Sequence, residues 1–143
     1  MGVVGLNFNK LLVERKKAVS GKITINNNIA VKNVEERDLA LGKNKQSGLR
    51  FVFEFTSKYN PDLANISIEG EVLYLEEAVK VKKIVEEWSK NKKIDKDMMA
   101  DVLNSALTKC NVQALILAND VNLPPPLQLP RIEKKDKGST YIG

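Results

Sequence analysis

The first half of the chain alternates apolar and polar residues, which is the pattern of β-strands that bury one face. Phe51, Phe53 and Phe55 are the clearest example, because Val52 and Glu54 separate them and leave one aromatic face. Alternation of this kind predicts four strands, within residues 6–17, 22–39, 49–59 and 65–75.

The second of these segments contains an interruption. Ile23, Ile25, Ile29 and Val31 share one parity and are β-branched, as a half-buried strand requires. Asn27 falls on the same parity and breaks the apolar row. Either the strand bulges at Asn27, or the run of asparagines turns and forms a small hairpin. The pattern leaves both alternatives open.

Polar turns separate the strands, and the period of the apolar residues changes after residue 75. A polar connection is predicted for Gly42–Gly48, and Asn60–Asp62 indicates a proline turn. Apolar residues recur at helical spacing from Glu76 onwards, and Asp95 is a candidate N-cap for a second helix that ends near Asn119. These patterns predict an α+β fold, in which an antiparallel sheet of about four strands is followed by two helices packed on one face.

The residue types on which most enzymes rely are largely missing. The chain has no histidine and one cysteine, which excludes His-based catalysis, His metal sites and a Cys-rich zinc site. Cys110 falls on the apolar stripe of the second helix, where a packed, unreactive thiol is expected. Glu69 and Glu71 share the polar face of a strand, where carboxylates are usually solvated. We therefore expect no enzyme activity, no cofactor and no metal site.

Length and composition indicate one domain over residues 1–132, followed by a basic, flexible tail at residues 133–143. No apolar run reaches the roughly 20 residues that a membrane helix needs. The N-terminal charges follow the apolar residues instead of preceding them, unlike in a secretory signal. A single cysteine also allows no internal disulfide. These features predict a cytoplasmic protein.

The net charge of +5 comes from the two ends of the chain. Residues 1–20 have four cations against Glu14, and residues 131–143 have four against Glu133 and Asp136, so the ends contribute +3 and +2. A ribosome-associated protein could use such ends to bind the phosphates of ribosomal RNA. The cations concerned are Lys10, Arg15, Lys16, Lys17, Arg131, Lys134, Lys135 and Lys137.

A proline-rich stretch, LPPPLQLPRI at Leu123–Ile132, follows the second predicted helix and is named here the Leu-Pro segment. Proline fixes φ and has no amide N–H, so polyproline II with three residues per turn is favoured. At that period Leu123, Pro126, Leu129 and Ile132 share one edge. The segment either straps down its own fold or forms the wall of a groove shared with a partner chain. An SH3 ligand is disfavoured, because such ligands rarely have four bulky aliphatic residues.

The order of strands, a turn, two helices and a closing VNLPPPLQLPRI resembles the SecB family of cytosolic chaperones. The stretch TKCNVQALILANDVNLPPPLQLPRI is also similar to the C-terminal signature of small archaeal SecB-like proteins of unknown function. The resemblance extends over residues 6–132 in topology and over Val121–Ile132 as a motif. It implies a non-catalytic holdase that binds unfolded or nascent polypeptides in apolar grooves, as a homodimer or homotetramer.

Eight apolar residues are the candidates for such a groove or for a subunit interface. They are Phe51, Phe53, Phe55, Trp88, Leu123, Pro126, Leu127 and Leu129. This chain departs from the family in charge, because family chaperones are acidic, so docking to a secretion motor is not expected here. The alternative function is a small basic protein that binds ribosomal RNA through its two ends.

Overall fold

The computed structural model describes residues 2–42 and 44–127, apart from the side chains of Leu41 and Asn44. Its strands are β1 (Gly2–Arg15), β2 (Thr24–Leu41), β3 (Asn44–Asn60) and β4 (Ala64–Leu75), and its helices are α1 (Ala78–Asn91) and α2 (Lys96–Asp120). The strands form an antiparallel sheet in the order β1-β4-β3-β2. The predicted α+β architecture is therefore confirmed, including the four strands and the two helices that follow them.

The centre of the sheet holds the most buried side chains. Phe51 and Phe53 are 0% exposed and Phe55 is 1% exposed, because β3 lies between two other strands and the helices cover this face. Gly70 of β4 lies opposite Phe53, and a Cβ at Gly70 would stand 2.8 Å from the Cζ atom of Phe53. The glycine therefore makes room for the aromatic ring.

Helix α2 crosses the sheet and contacts all four strands. Asp95 caps its N-terminus as predicted, because the carboxylate accepts a hydrogen bond of 3.2 Å from the amide of Met98. The buried side chains recur every four residues and are mostly small, which allows close contact with the aromatic row of β3. They are Met98, Val102, Ala106, Cys110, Ala114 and Ala118.

Helix α1 packs mainly against β2 and β3 and begins later than its sequence pattern indicates. Its first residue is Ala78, so Glu76 precedes the helix and Glu77 is the N-cap, without a side-chain hydrogen bond. The helix therefore begins two residues after Glu76, where the helical spacing starts, and its first turn has no acidic residue. The helix ends where Lys92 adopts a left-handed conformation (φ 56°) and donates its amide to the carbonyl of Trp88.

Two predictions about β2 and its connection to β3 are wrong. β2 is continuous through Asn27, and its register shift lies between Val31 and Asn33, so there is neither a hairpin nor a bulge at Asn27. The expected connection at Gly42–Gly48 is mostly strand, because β3 already begins at Asn44. Gly48 is needed inside the sheet, where a Cβ would stand 2.8 Å from the Tyr74 carbonyl oxygen and collide with Leu39.

Candidate polypeptide-binding surface

The aromatic row of β3 is sealed inside the subunit. Phe51, Phe53 and Phe55 lie on the face of the sheet that the two helices cover, with at most 1% of their surface exposed, so these groove candidates are not open in the single chain. A polypeptide could reach these side chains only after the helices separated from the sheet. In the single chain these three side chains therefore offer no exposed surface to a polypeptide.

Trp88, another predicted groove residue, belongs to the hydrophobic core. It is 8% exposed and packs from the C-terminal half of α1. The Nζ atom of Lys92 lies 5.2 Å from the centre of its ring, which is the geometry of a cation–π contact. Its indole Nε1 has no hydrogen-bond partner among the described residues.

The described part of the Leu-Pro segment lies on the chain's own sheet. The Tyr59 hydroxyl donates a hydrogen bond of 2.5 Å to the carbonyl of Pro124, and the Asn27 amide donates one of 2.8 Å to the carbonyl of Pro126. Leu123 and Pro126 are buried, and Leu127 is half-buried. Residues 123–127 therefore act as an internal strap.

Several predicted site residues lie outside the described part of the chain. They are Leu129, Arg131, Lys134, Lys135 and Lys137, together with the predicted tail at residues 133–143. Their predicted roles stay predictions.

Cys110, the single cysteine of the chain, has a structural role. Cys110 is 0% exposed, and burial raises the pKa of its thiol to about 12. Such a thiol is protonated at neutral pH and is a poor nucleophile. The predicted packed thiol is therefore confirmed.

Glu71 lies on the outer face of the sheet, opposite the helices, and is only 9% exposed. Arg50 donates to it at 2.7 Å, Asn7 at 3.2 Å and Arg37 at 3.4 Å, and Arg50 also contacts Glu35 at 3.2 Å. The Arg50 guanidinium holds the pKa of Glu71 below its usual range, although burial opposes this shift. The expectation of a solvated Glu71 is wrong. The network joins all four strands and balances its own charges.

β1 presents an open edge, because in the described part of the chain it pairs only with β4. Residues 2–9 have no charged side chain. Val4 is 44% exposed and Leu11 is 45% exposed, which is high for apolar side chains in a sheet. An edge strand of this kind can pair with another extended chain.

The opposite edge is protected by charge. β2 has five charged residues, Lys32 and the run Glu35–Asp38, on a strand that is also an edge. Charged side chains on an edge strand disfavour pairing with a further strand. The two edges of the sheet are therefore not equivalent. β1 is uncharged over residues 2–9 and has charged residues only at Lys10, Glu14 and Arg15, so it is the less protected edge.

One part of β1 has an unbroken register. Pairing with β4 shifts between Val3 and Gly5 and again between Phe8 and Lys10. From Lys10 to Arg15 every residue has a direct partner on β4. This six-residue stretch contains the exposed Leu11 and is the longest regular part of the open edge.

The described members of the predicted basic end lie at the C-terminal end of the same strand. Lys10 and Arg15 belong to β1, and Lys16 and Lys17 follow it. All four are exposed, and Lys16 forms an ion pair of 3.0 Å with Asp62. Nothing in the fold or in the comparisons below supports their use on ribosomal RNA.

The end of α2 has a second, smaller apolar surface. Val112 is 59% exposed and Ile116 is 49% exposed, one helical turn apart. A cavity of about 250 Å³ lies beside them, between the last turn of α2 and the Leu-Pro segment. It is lined by Leu115, Ala118, Asn119, Leu123 and Pro125.

Two other kinds of site are absent from residues 2–42 and 44–127. No group of three or more metal-binding side chains occurs there. No helix of that part of the chain is long and apolar enough to cross a membrane.

The sequence did not predict that β1 is an open edge of the sheet. The contrast in charge between the first two predicted strands was visible in the sequence. However, a strand is recognised as an edge only when the order of the sheet is known, and that order depends on pairing between distant residues.

Comparisons with known proteins bear on the fold. No protein-family model matches the chain, and no curated protein matches it. Among solved structures, the SecB-like chaperone Rv1957 of Mycobacterium tuberculosis, in complex with a ChAD peptide from the HigA1 antitoxin Rv1956, matches with a TM-score of 0.52 and 13% identity. The match covers 92% of this chain and 88% of that chain. The chain therefore has a SecB-like α+β fold.

Proposed function

We propose that this chain is a non-catalytic, SecB-like polypeptide-binding protein that holds extended, non-native chains by adding them as a strand to the edge of β1. The observation that carries the proposal is the open edge of β1, with Val4 and Leu11 close to half exposed. The structural neighbour supports the same class of function, because it was solved with a bound peptide.

Strand addition suits a protein that must accept many sequences. Hydrogen bonds between main chains give affinity that does not depend on the client's side chains. Contacts of alternate side chains of the added strand provide specificity. Each such hydrogen bond contributes about 0.5–1.5 kcal/mol net. The exposed Leu11 adds apolar contact beside the regular stretch from Lys10 to Arg15.

The remainder of the fold acts as a rigid support. The sealed aromatic row, residues 123–127 and the Glu71 network hold the sheet in place from both faces. A firmly held sheet lowers the entropy cost of adding a strand, because β1 is already extended.

The proposal is tested by the suppression of aggregation of a chemically unfolded client, followed by light scattering. The double variant Val4→Gln/Leu11→Gln removes the exposed apolar side chains of β1 without adding charge. Its control, Val79→Gln/Val112→Gln, removes two helix side chains that are 67% and 59% exposed. We expect the control to match the wild type and the β1 variant to need about tenfold more protein, as the loss of 1–2 kcal/mol implies.

Two results would contradict the proposal. The first is a wild-type protein that leaves aggregation unchanged at stoichiometric amounts. The second is a β1 variant that protects the client as well as the control does. Circular dichroism spectra of both variants establish that they are folded.

A homodimer or homotetramer remains part of the proposal. A free β1 edge can pair with the β1 of a second copy as well as with a client, since both are extended chains. The mass in solution, measured with and without client, distinguishes pairing with a second copy from pairing with a client. A dimer that persists unchanged when the client binds would show that the client uses another surface.

A further inference from the structure

Charge is distributed unevenly along the open edge. The first eight residues of β1 are uncharged, whereas Lys10 and Arg15 lie in its second half. Lys16 and Lys17 follow directly. Glu14 is the only acidic residue of the strand. The edge is therefore neutral and apolar at its N-terminal end and basic at its C-terminal end.

The two lysines are held at the end of the strand, where the chain bends at Lys17. The amides of Lys16 and Lys17 both donate hydrogen bonds to the carbonyl of Leu63, at 2.8 Å and 3.3 Å. Leu63 immediately precedes β4, the strand that pairs with β1. The backbone of both basic residues is therefore fixed beside the C-terminal end of β1.

Much of this positive charge is not neutralised by the described residues. Lys16 is paired with Asp62, but no ion pair between described residues includes Arg15 or Lys17. Lys58 adds a further cation at the same end of the sheet. Among the described residues, the acidic groups that oppose these four cations in the immediate surroundings are Glu14 and Asp62.

From these observations we infer that the β1 edge selects extended polypeptides in which acidic residues precede an apolar, β-forming stretch. The inference rests on the proposed function. Every strand pair of this sheet is antiparallel, and antiparallel pairing is the more stable kind. A polypeptide added antiparallel to β1 places its N-terminal side beside Arg15, Lys16 and Lys17. Acidic residues at that end meet the uncompensated charge.

Two peptides of identical composition test this direction. One has three acidic residues followed by six alternating valines and threonines, and the other has the same six residues followed by the three acids. Both are acetylated and amidated so that terminal charges do not contribute, and binding to the full chain is measured by fluorescence anisotropy. We expect the peptide with N-terminal acids to bind about fivefold to tenfold more tightly in 50 mM salt.

Variants and a change of salt concentration distinguish the contribution of charge to peptide affinity from that of strand addition. In Arg15→Gln/Lys17→Gln the difference between the two peptides should disappear, and in 500 mM salt it should shrink because the charges are exposed. Lys16 is not substituted, because it forms an ion pair with Asp62. In Val4→Gln/Leu11→Gln both peptides should weaken by the same factor, so their ratio should stay unchanged.

The outcomes distinguish the inference from the function on which it depends. Equal affinity for the two peptides, or preference for the one with C-terminal acids, would overturn the inference. If the β1 variant still weakened both peptides, the proposed function would stand. Absence of binding by either peptide, together with no protection of an unfolded client, would overturn both.

Discussion

The side-chain amide of Asn27 donates a hydrogen bond of 2.8 Å to the carbonyl oxygen of Pro126. This contact joins β2 to the Leu-Pro segment across 99 residues of sequence and explains an asparagine in the apolar row of a strand. The neighbouring Tyr59 bonds the carbonyl of Pro124 in the same way. Proline carbonyls accept these bonds because a proline-rich segment leaves them free of regular secondary structure.

Loss of the Tyr59 hydroxyl should loosen this strap. Tyr59→Phe keeps the buried ring and removes one hydrogen bond, so the free energy of unfolding should fall by about 1–2 kcal/mol in urea denaturation. Lys90→Gln, which removes an exposed ion pair with Glu86, is the control and should change it by less than about 0.5 kcal/mol. Equal stability of wild type and Tyr59→Phe would show that the segment is not held through Tyr59.

Tyr59 also gives stability a dependence on alkaline pH. Burial raises the pKa of Tyr59 to about 12 in the folded chain, above its ordinary value of 10.0. The unfolded chain therefore loses this proton first, and stability falls as pH rises from the ordinary value towards the folded one. Unfolding curves at successive alkaline pH values should show this fall, and Tyr59→Phe should reduce it.

Cys110 offers a direct measure of core integrity, because it is the only cysteine of the chain. A thiol-reactive chromophore should modify it only when the core opens, since it is 0% exposed and its pKa is raised to about 12. We expect a rate at least on the order of 10³ lower than in denaturant. Reaction of the folded protein at the rate of a free thiol would mean that α2 separates readily from the sheet.

Glu71 should make the protein sensitive to acid. The pKa of Glu71 is lowered in the folded chain, chiefly by Arg50, so its stabilisation is complete above the ordinary value of 4.5. It is lost as pH falls through the lower folded value, because the unfolded chain binds the proton first. Glu71→Gln should lower the free energy of unfolding at pH 7 by about 1–3 kcal/mol and flatten its decline in acid.

The control for Glu71 is Glu36→Gln, an exposed carboxylate of β2. It should leave both the stability at pH 7 and the acid profile close to those of the wild type. An acid profile of Glu71→Gln that matches the wild type would remove Glu71 as the source of the acid sensitivity.

A substitution at Gly48 tests the close packing of β3, in a segment that was predicted to be a polar connection between β2 and β3. Gly48→Ala brings a Cβ into collision with Leu39 and to 2.8 Å from the Tyr74 carbonyl oxygen, so we expect a loss of about 1–3 kcal/mol in thermal or urea unfolding. Gly2→Ala, which meets nothing within 4 Å, is the matched control and should be nearly neutral. Similar stability of the two variants would indicate that the strand shifts easily at Gly48.

The sequence was sufficient for features that depend on neighbouring residues. The phenylalanine row, the change of period after residue 75 and the Asp95 cap were all predicted, because alternation, helical spacing and capping are local. The fold class followed from the order of these elements.

Features that depend on contacts between distant residues were predicted poorly. Asn27 is explained only by Pro126, Gly48 only by Leu39 and Tyr74, and the low exposure of Glu71 only by arginines on other strands. The burial of the aromatic row depends on the helices that pack over β3. The open edge of β1 required the strand order. Each of these is a relation between segments that no local pattern contains.

Hydrogen exchange of the β1 amides, with and without an unfolded client, tests the central claim most directly. The amides that face the open edge should exchange quickly in the free protein and slowly in the complex, with the largest gain between Lys10 and Arg15, while β2 should change little. A complex in which the client is bound but the gain in protection lies on β2 or on the helices, with none on β1, would contradict strand addition.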